Sequence, residues 1–256
     1  MATEAPLPRW FIDLLAHRRW IRRTRPFPHV YVRDVFTEVF YRRLAEEFER
    51  VHREPGRFTP VADDYNATGL SLAAVRNGPL EVFLSRAWHD VIERVAGVRA
   101  SGDVEGSLHH HAPDGPPGRP HHDLAPAWFP GTPPGPTAVG LPDSSIDLRT
   151  GARPPGTPAR ELVRAVAVLF YLNNPQWRPG DGGETGLFAD IGAADPRATL
   201  AVPPLDNSMV VFECTPRSWH TFLGANTAAR NSVVMWLHRP RDEAARRWGG
   251  DRIAEW

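Results

Sequence analysis

The strongest strand signal in the chain, at residues 163–172, most restricts what it can fold into. The segment reads Val-Arg-Ala-Val-Ala-Val-Leu-Phe-Tyr-Leu, and such a β-branched and apolar run is typical of a central strand. An Asn-Asn-Pro sequence at residues 173–175 ends it, because these residues favour turns. A sheet built around this strand is therefore the predicted core.

Shorter strand signals surround this segment and are separated by turn residues rather than helices. They lie at residues 108–112, 184–188, 199–202, 208–212, 219–223 and 232–238. Many short strands of this kind indicate an antiparallel sandwich or jelly roll. The first hundred residues differ, because apolar residues recur there at helical spacing. Helices are predicted at residues 8–23, 37–51 and 80–95, and an irregular polar loop at residues 58–76. The predicted class is mainly β with flanking α.

The composition excludes several functions. All thirty basic residues of the 256 are arginine, so lysine Schiff-base chemistry is excluded. Thirty acidic residues balance them, and we therefore expect neither a nucleic-acid nor a membrane partner. With a single cysteine, Cys214, the chain has no internal disulfide or four-thiolate metal site. No secretory signal or membrane span is evident, so a cytoplasmic location is expected.

A single domain over residues 1–256 is predicted, with a helical part at about 1–98 and a β-core at about 104–240. Residues 126–158 are rich in proline and glycine and contain few large apolar groups. Long segments of this kind are uncommon inside domains and are usually functional or disordered. This insert directly follows the candidate metal-binding motif of the chain, so it is interpreted either as a lid over the site or as a flexible insertion.

That motif is the His-x-Asp sequence of His121 and Asp123. Side chains of an extended segment alternate between faces, so these two point the same way and His122 points away. An imidazole and a carboxylate on one face can bind one metal ion from one side. His220, almost a hundred residues later, could complete the facial three-ligand set that non-haem Fe(II) oxygenases use.

Arg230 and Ser232 stand at the start of the last predicted strand. A dicarboxylate cosubstrate that chelates iron at one end needs a cation at its other end. Arginine suits this role, because its planar fork pairs with a carboxylate through two parallel hydrogen bonds. The hydroxyl of Ser232, on the same face as Arg230, could donate a further hydrogen bond.

From about residue 26 to 240 the chain resembles the Fe(II)/2-oxoglutarate-dependent dioxygenase superfamily, specifically its prolyl-4-hydroxylase-like branch. The similarity is carried by Phe27-Pro28-His29, by the segments at 169–173 and 181–185, and by His220 with the Arg-x-Ser pattern at 230–232. It implies a double-stranded β-helix (jelly roll/cupin-like) with N-terminal helices packed on one sheet.

The resemblance also implies a site. Fe(II) would be bound by His121, Asp123 and His220, and Arg230 with Ser232 would hold the distal carboxylate of 2-oxoglutarate. Members of the branch often carry a further 2-oxoglutarate-binding tyrosine on the strand before His-x-Asp. This chain has three histidines there, at residues 109–111. His111 or Tyr171 is expected to replace the tyrosine, and at most one of the three histidines is expected to face the pocket.

The implied activity is hydroxylation of an unactivated C–H bond with Fe(II), 2-oxoglutarate and dioxygen, releasing succinate and CO2. The substrate would be a small molecule, an amino acid or a peptide, and the enzyme a monomer or homodimer. Arginine rather than lysine at position 230 favours the small-molecule and bacterial part of the group. Two alternatives stay open: desaturation, epoxidation or cyclisation with the same cofactors in natural-product biosynthesis, and a non-catalytic metal- or ligand-binding β-sandwich.

Overall fold

The computed structural model describes residues 6–62, 65–192 and 196–254. Its helices are α1 (Arg9–Ile12), α2 (Glu38–His52), α3 (Arg86–Ala96) and α4 (Arg241–Trp248), with 3-10 turns at Leu72–Val75, Pro79–Leu84 and Gly250–Arg252. The strands before the insert are β1 (Arg22–Arg23), β2 (His29–Val32), β3 (Thr59–Ala62), β4 (Tyr65–Ser71), β5 (Val104–His111) and β6 (Pro126–Pro130). Those after it are β7 (Ala159–Tyr171), β8 (Thr185–Leu187), β9 (Leu200–Val202), β10 (Ser208–Glu213), β11 (His220–Phe222) and β12 (Arg230–Pro240).

Two antiparallel sheets form the β-part. The major sheet has the order β1-β2-β10-β7-β12-β5-β4-β3, with β6 also paired to β7. The minor sheet has the order β11-β8-β9. The predicted central strand is β7, which lies between β10 and β12. The side chains of β7 are apolar on both faces because other elements cover both faces of the sheet at this position.

The two faces of the major sheet bury different partners because side chains alternate along each strand. One face of β7, with Val166, Val168 and Phe170, packs against α2 and α3 in the larger core. The other face, with Leu169 and Tyr171, packs against the minor sheet. Helices therefore cover one face of the major sheet, and the space between the two sheets is left for the functional site.

Two predictions for the N-terminal part are wrong. The helix expected at residues 8–23 is a single turn, α1, because Leu15 forms a backbone bridge with Phe36 and the following chain runs to strand β1. The polar segment at residues 58–76 forms strands β3 and β4, which extend the major sheet beyond β5. None of the helices in the described ranges is long and apolar enough to cross a membrane.

The insert at residues 126–158 is ordered where it meets the sheet, and its first five residues are strand β6 rather than loop. Its middle is held against buried Asp103. This carboxylate accepts two hydrogen bonds from Arg160 at 2.8 and 3.0 Å and one from Ser101 at 2.9 Å. Gly140 forms a backbone bridge with Asp103, and a Cβ at Gly140 would collide with the Asp103 carboxylate.

Replacing Asp103 by alanine is expected to destabilise the protein by about 2–3 kcal/mol. Breaking a buried ion pair costs roughly 3–5 kcal/mol, and the effect is smaller here because Arg160 keeps part of its hydration. Denaturant unfolding measures it. The matched control is Asp143→Ala in the same insert, where an exposed turn is lost and the expected cost is below about 1 kcal/mol. Equal effects of the two changes would contradict the role given to Asp103.

Candidate active site

The two predicted histidine ligands are brought together by the backbone. His121 and His220 form an isolated antiparallel bridge. The amide of His121 donates to the carbonyl of His220 at 3.0 Å, and the amide of His220 donates to the carbonyl of His121 at 2.9 Å. This reciprocal pair extends the minor sheet by one segment beyond β11 and places the two rings 4.4 Å apart.

Both imidazoles are held in one tautomer. The Nδ1 of His121 lies 2.8 Å from the carbonyl of Arg119, and the Nδ1 of His220 lies 3.0 Å from the carbonyl of Ser218. A carbonyl only accepts hydrogen bonds, so Nδ1 must carry the proton in each ring. Each Nε2 then presents a lone pair, as metal-binding imidazoles do.

Asp123 completes the group. One metal-binding atom from each of His121, Asp123 and His220 lies within 4.8 Å of the others. The carboxylate is buried, and its Oδ2 accepts a hydrogen bond of 2.7 Å from the indole nitrogen of Trp236. Its Oδ1 has no hydrogen-bond partner in the part of the chain that the structure describes. The arrangement leaves one carboxylate oxygen and two imidazole nitrogens directed at one point.

The charge states in this group suit a divalent cation. Burial, together with the neighbouring His220, lowers the pKa of His121 to about 4, so its ring is neutral at pH 7. Burial opposes ionisation of Asp123, but the attraction of His220, His121 and Arg164 outweighs this and holds the pKa of the carboxyl well below its usual value. Neutral imidazoles and an ionised carboxylate are the forms that bind metals.

A buried cation stands next to this group. The guanidinium of Arg230 donates to Thr185 Oγ1 at 2.9 Å and lies over the rings of Tyr171 and Phe222, at 5.2 and 5.3 Å. Tyr171 forms a hydrogen bond of 2.7 Å with the same Thr185 hydroxyl. In the described ranges no carboxylate pairs with Arg230, and its Nε and the hydroxyl of Ser232 have no hydrogen-bond partner.

The histidines of β5 correct one prediction, that at most one of them faces the pocket. His109 and His111 are both buried on the inner face, while the ring of His110 contacts His52 on the opposite face. His111 stacks on Phe222 at 4.1 Å. Burial lowers the pKa of His111 to about 2 and that of His109 to about 4, and Arg230 adds to both shifts. The opposite orientation expected for His122 agrees with its contact with Trp219 at 4.8 Å.

Three residues that line the site have no role predicted from the sequence: Thr185, Trp236 and Arg164. Arg164 stands in no motif, yet its side chain is largely buried, pairs with Glu105 and lies 3.7 Å from Asp123. An available signal was its position inside an otherwise apolar strand, since buried arginines are almost always paired. Trp236 carried no comparable signal, because tryptophans in strands commonly serve only the core.

A cavity of about 240 Å3 lies over β5 and is lined by Glu105 and His109, but by none of the three proposed iron ligands. Its floor is the inner face of β5, with Glu105, Ser107 and His109, and its other walls come from β3, β4 and the insert, which contributes Leu141, Pro142 and Leu148. Apart from Glu105 the lining is apolar or uncharged. A compact group entering here would pass the insert before reaching the inner face of the sheet.

The unsatisfied groups of this region fit Fe(II) and 2-oxoglutarate. A metal ion would use the free Oδ1 of Asp123 together with the two Nε2 atoms. A distal carboxylate would satisfy the guanidinium of Arg230 and the hydroxyl of Ser232, and leaving such a buried cation without an anion costs several kcal/mol. Two nitrogen ligands and one oxygen on one face of a site define the class of non-haem iron proteins with a facial triad.

Comparison with known proteins narrows this class. Residues 117–238, a little under half of the chain, match the family described as the 2OG-Fe(II) oxygenase superfamily. This segment is therefore similar to a family of 2-oxoglutarate-dependent dioxygenases, whose cofactors are Fe(II), 2-oxoglutarate and dioxygen, and the His121, Asp123 and His220 group lies within it. A prolyl 3,4-dihydroxylase (OGFOD1) of Ostreococcus tauri is 34% identical over 83 residues, which are 30% of this chain and only 16% of that relative.

Solved structures share the fold. A prolyl-4-hydroxylase of Pseudomonas putida superposes with a TM-score of 0.54 at 19% identity, covering 82% of this chain and 92% of its own. A prolyl hydroxylase of Trichoplax adhaerens, solved with a hypoxia inducible factor peptide, gives 0.57 at 14% identity, with 85% and 86% covered. The predicted double-stranded β-helix class is thereby confirmed, and the match of residues 117–238 to the family confirms the predicted resemblance.

Proposed function

We propose that this protein hydroxylates a C–H bond of a peptidyl or small-molecule substrate, releasing succinate and CO2, with His121, Asp123 and His220 as iron ligands. The observation that carries the proposal is the pairing of a preformed N2O group with a buried, uncompensated arginine. Either feature alone is compatible with many kinds of binding site. Together they match the two ends of an iron-chelating dicarboxylate, whose distal end would bind Arg230 and Ser232.

Several residues of the chain would serve this reaction directly. When bound, iron with 2-oxoglutarate and dioxygen supplies the oxidising power for C–H cleavage. The backbone bridge between His121 and His220 holds these two proposed ligands together. The indole of Trp236 orients the carboxylate of Asp123. Tyr171 and Thr185 fix the guanidinium of Arg230, and Phe222 with His111 cover it from water. Such support by outer hydrogen-bond partners typically raises metal affinity 10- to 100-fold.

A prolyl residue within a peptide is the substrate that we favour. The relatives named above are prolyl hydroxylases, and one was solved with a peptide. The cavity beside β5 supports this choice, because it is small, mostly apolar and open on one side. A compact ring at the end of an extended chain would fit these dimensions, with Pro142 and Leu148 of the insert beside it.

An anaerobic titration with Fe(II) and 2-oxoglutarate tests the proposal. Bound together they should produce a weak visible charge-transfer band, and oxygen should then give succinate. A proline-containing peptide panel would reveal hydroxylation as the gain of one oxygen in mass. Loss of two hydrogens would instead indicate desaturation. A folded protein that shows neither the band nor succinate would contradict the proposal and favour a non-catalytic binding module.

Filling the cavity should separate substrate binding from cofactor binding. Ser107→Phe places a ring in the cavity, so peptide hydroxylation is expected to fall on the order of 100-fold, as misplacement of reacting groups does. The charge-transfer band should persist, since Ser107 is neither a proposed iron ligand nor a group proposed to bind 2-oxoglutarate. Ser145→Phe makes the same change on the exposed part of the insert and should leave both readouts unchanged. Unaltered hydroxylation by Ser107→Phe would exclude this cavity as the substrate site.

A further inference from the structure

A buried ion pair connects two strands behind the proposed iron site. Arg164 of β7 binds Glu105 of β5 with both ends of its fork, through contacts of 3.1, 3.2 and 3.3 Å. Both side chains are largely buried, at 12% and 16% exposure. The guanidinium also stacks 3.7 Å above the ring of Trp236, the residue that donates to Asp123. The ion pair therefore contacts Trp236, the residue that positions the carboxylate of Asp123.

The same guanidinium reaches towards Asp123 itself. Its Nη1 lies 3.7 Å from Asp123 Oδ1, which is beyond hydrogen-bond distance. This oxygen is the one left without a hydrogen-bond partner among the described residues, and so it is the oxygen available to a metal ion. Arg164 thus stands close enough to attract the carboxylate but does not bind it.

Two carboxylates compete for this one fork. A guanidinium taken out of water needs an anion, and its geometry favours a bidentate carboxylate. Glu105 rather than Asp123 binds the guanidinium, because the Glu105 carboxylate is ionised. Burial opposes its charge, but Arg164 and the neighbouring His238 outweigh this and lower the pKa of Glu105 to about 2. His238 lies 3.7 Å behind it. Without that negative charge, Asp123 would be the nearest carboxylate for Arg164.

We propose that Glu105 is a positioning residue for the metal centre: by occupying the fork of Arg164, it keeps Asp123 Oδ1 free to bind iron. The inference rests on the proposed function, since it assumes that Asp123 is a ligand. When Glu105 is lost, Fe(II) binding is weakened because Arg164 turns to Asp123, and not because packing is lost. Removing Arg164 as well should therefore undo the damage.

The test measures Fe(II) affinity anaerobically, from titration of the charge-transfer band at saturating 2-oxoglutarate. Glu105→Gln preserves the shape of the side chain and removes its charge, and is expected to weaken Fe(II) binding about 10- to 100-fold, the range known for outer partners of metal ligands. The matched control is Glu213→Gln, which breaks another buried glutamate–arginine pair, to Arg239 at 2.9 Å. That pair does not contact Asp123, and Fe(II) affinity should stay within about twofold of wild type.

The double variant Glu105→Gln/Arg164→Met decides the mechanism. Recovery of Fe(II) affinity to within a few-fold of wild type would support competition for Asp123. Affinity that stays as weak as in Glu105→Gln, or an unweakened Glu105→Gln, would overturn it. Circular dichroism and thermal unfolding confirm that each variant is folded. Failure of the wild-type protein to bind Fe(II) would instead contradict the proposed function, so the two failures are distinguishable.

Discussion

Replacing His220 by alanine is expected to abolish the iron–2-oxoglutarate band and reduce succinate formation by more than about 100-fold. The loss of an outer hydrogen-bond partner costs metal sites up to roughly 100-fold, and removal of a ligand itself should exceed this. Only His121 and Asp123 would remain, and two ligands do not make a facial set. The measurement is the same anaerobic titration, followed by succinate quantification after exposure to oxygen.

The matched control is His122→Ala. His122 is adjacent to the site in sequence, but its ring packs against Trp219 rather than towards the group of His121, Asp123 and His220. This variant should keep the band and most of the activity. A His220→Ala protein that binds Fe(II) as tightly as wild type would show that the ligand assignment is wrong.

The second large effect concerns Arg230. Arg230→Met should weaken 2-oxoglutarate binding roughly 30- to 4000-fold, because truncating one partner of a buried charge pair costs about 2–5 kcal/mol. At the same time the protein without cosubstrate should become more stable, by about 1–3 kcal/mol, since an uncompensated buried cation is removed. Calorimetric titration measures the loss of affinity, and denaturant unfolding measures the gain in stability.

Arg239→Met provides the contrast. Arg239 is also fully buried on β12, but its guanidinium binds Glu213 and the carbonyl of Ala165. Its removal deletes these charged hydrogen bonds and leaves Glu213 with Arg247 as its partner, so it should destabilise the fold by about 1–3 kcal/mol, with 2-oxoglutarate affinity unchanged. If Arg230→Met destabilised the protein in the same way, Arg230 would be a structural residue and not a cosubstrate anchor.

The strands of the core were predictable because their composition reflects their burial. β7 is apolar on both faces, and a strand of that kind must be covered by other elements on both faces of its sheet. Strand β3 at the sheet edge and its neighbour β4 were missed because they are short and polar, features that protect a sheet edge from aggregation. The helix predicted at residues 8–23 failed because pairing of Leu15 with Phe36 overrides the local helical spacing.

The site was predictable where function rests on a short motif and not where it rests on register. His121 and Asp123 are two residues apart, so strand alternation alone places them together. Alternation also puts His109 and His111 on one face of β5, and this contradicts the expectation that at most one of these histidines faces the pocket. The contact between Arg164 and Asp123 depends on how β7 pairs with the segment before β6, where the amide of Arg164 donates to the carbonyl of Ala125 at 3.0 Å, and no local pattern encodes it.

The backbone bridge between His121 and His220 has a consequence for how such a protein would lose its metal. The two proposed ligands lie at the ends of a loop of about 100 residues, and closing a loop of this length has an entropic cost that the folded ladder already bears. Iron would therefore meet ligands that are assembled in advance. Conversely, any local opening that breaks the two backbone hydrogen bonds between His121 and His220 separates the histidines, so protection of the two amides against hydrogen exchange would report on retention of the proposed iron.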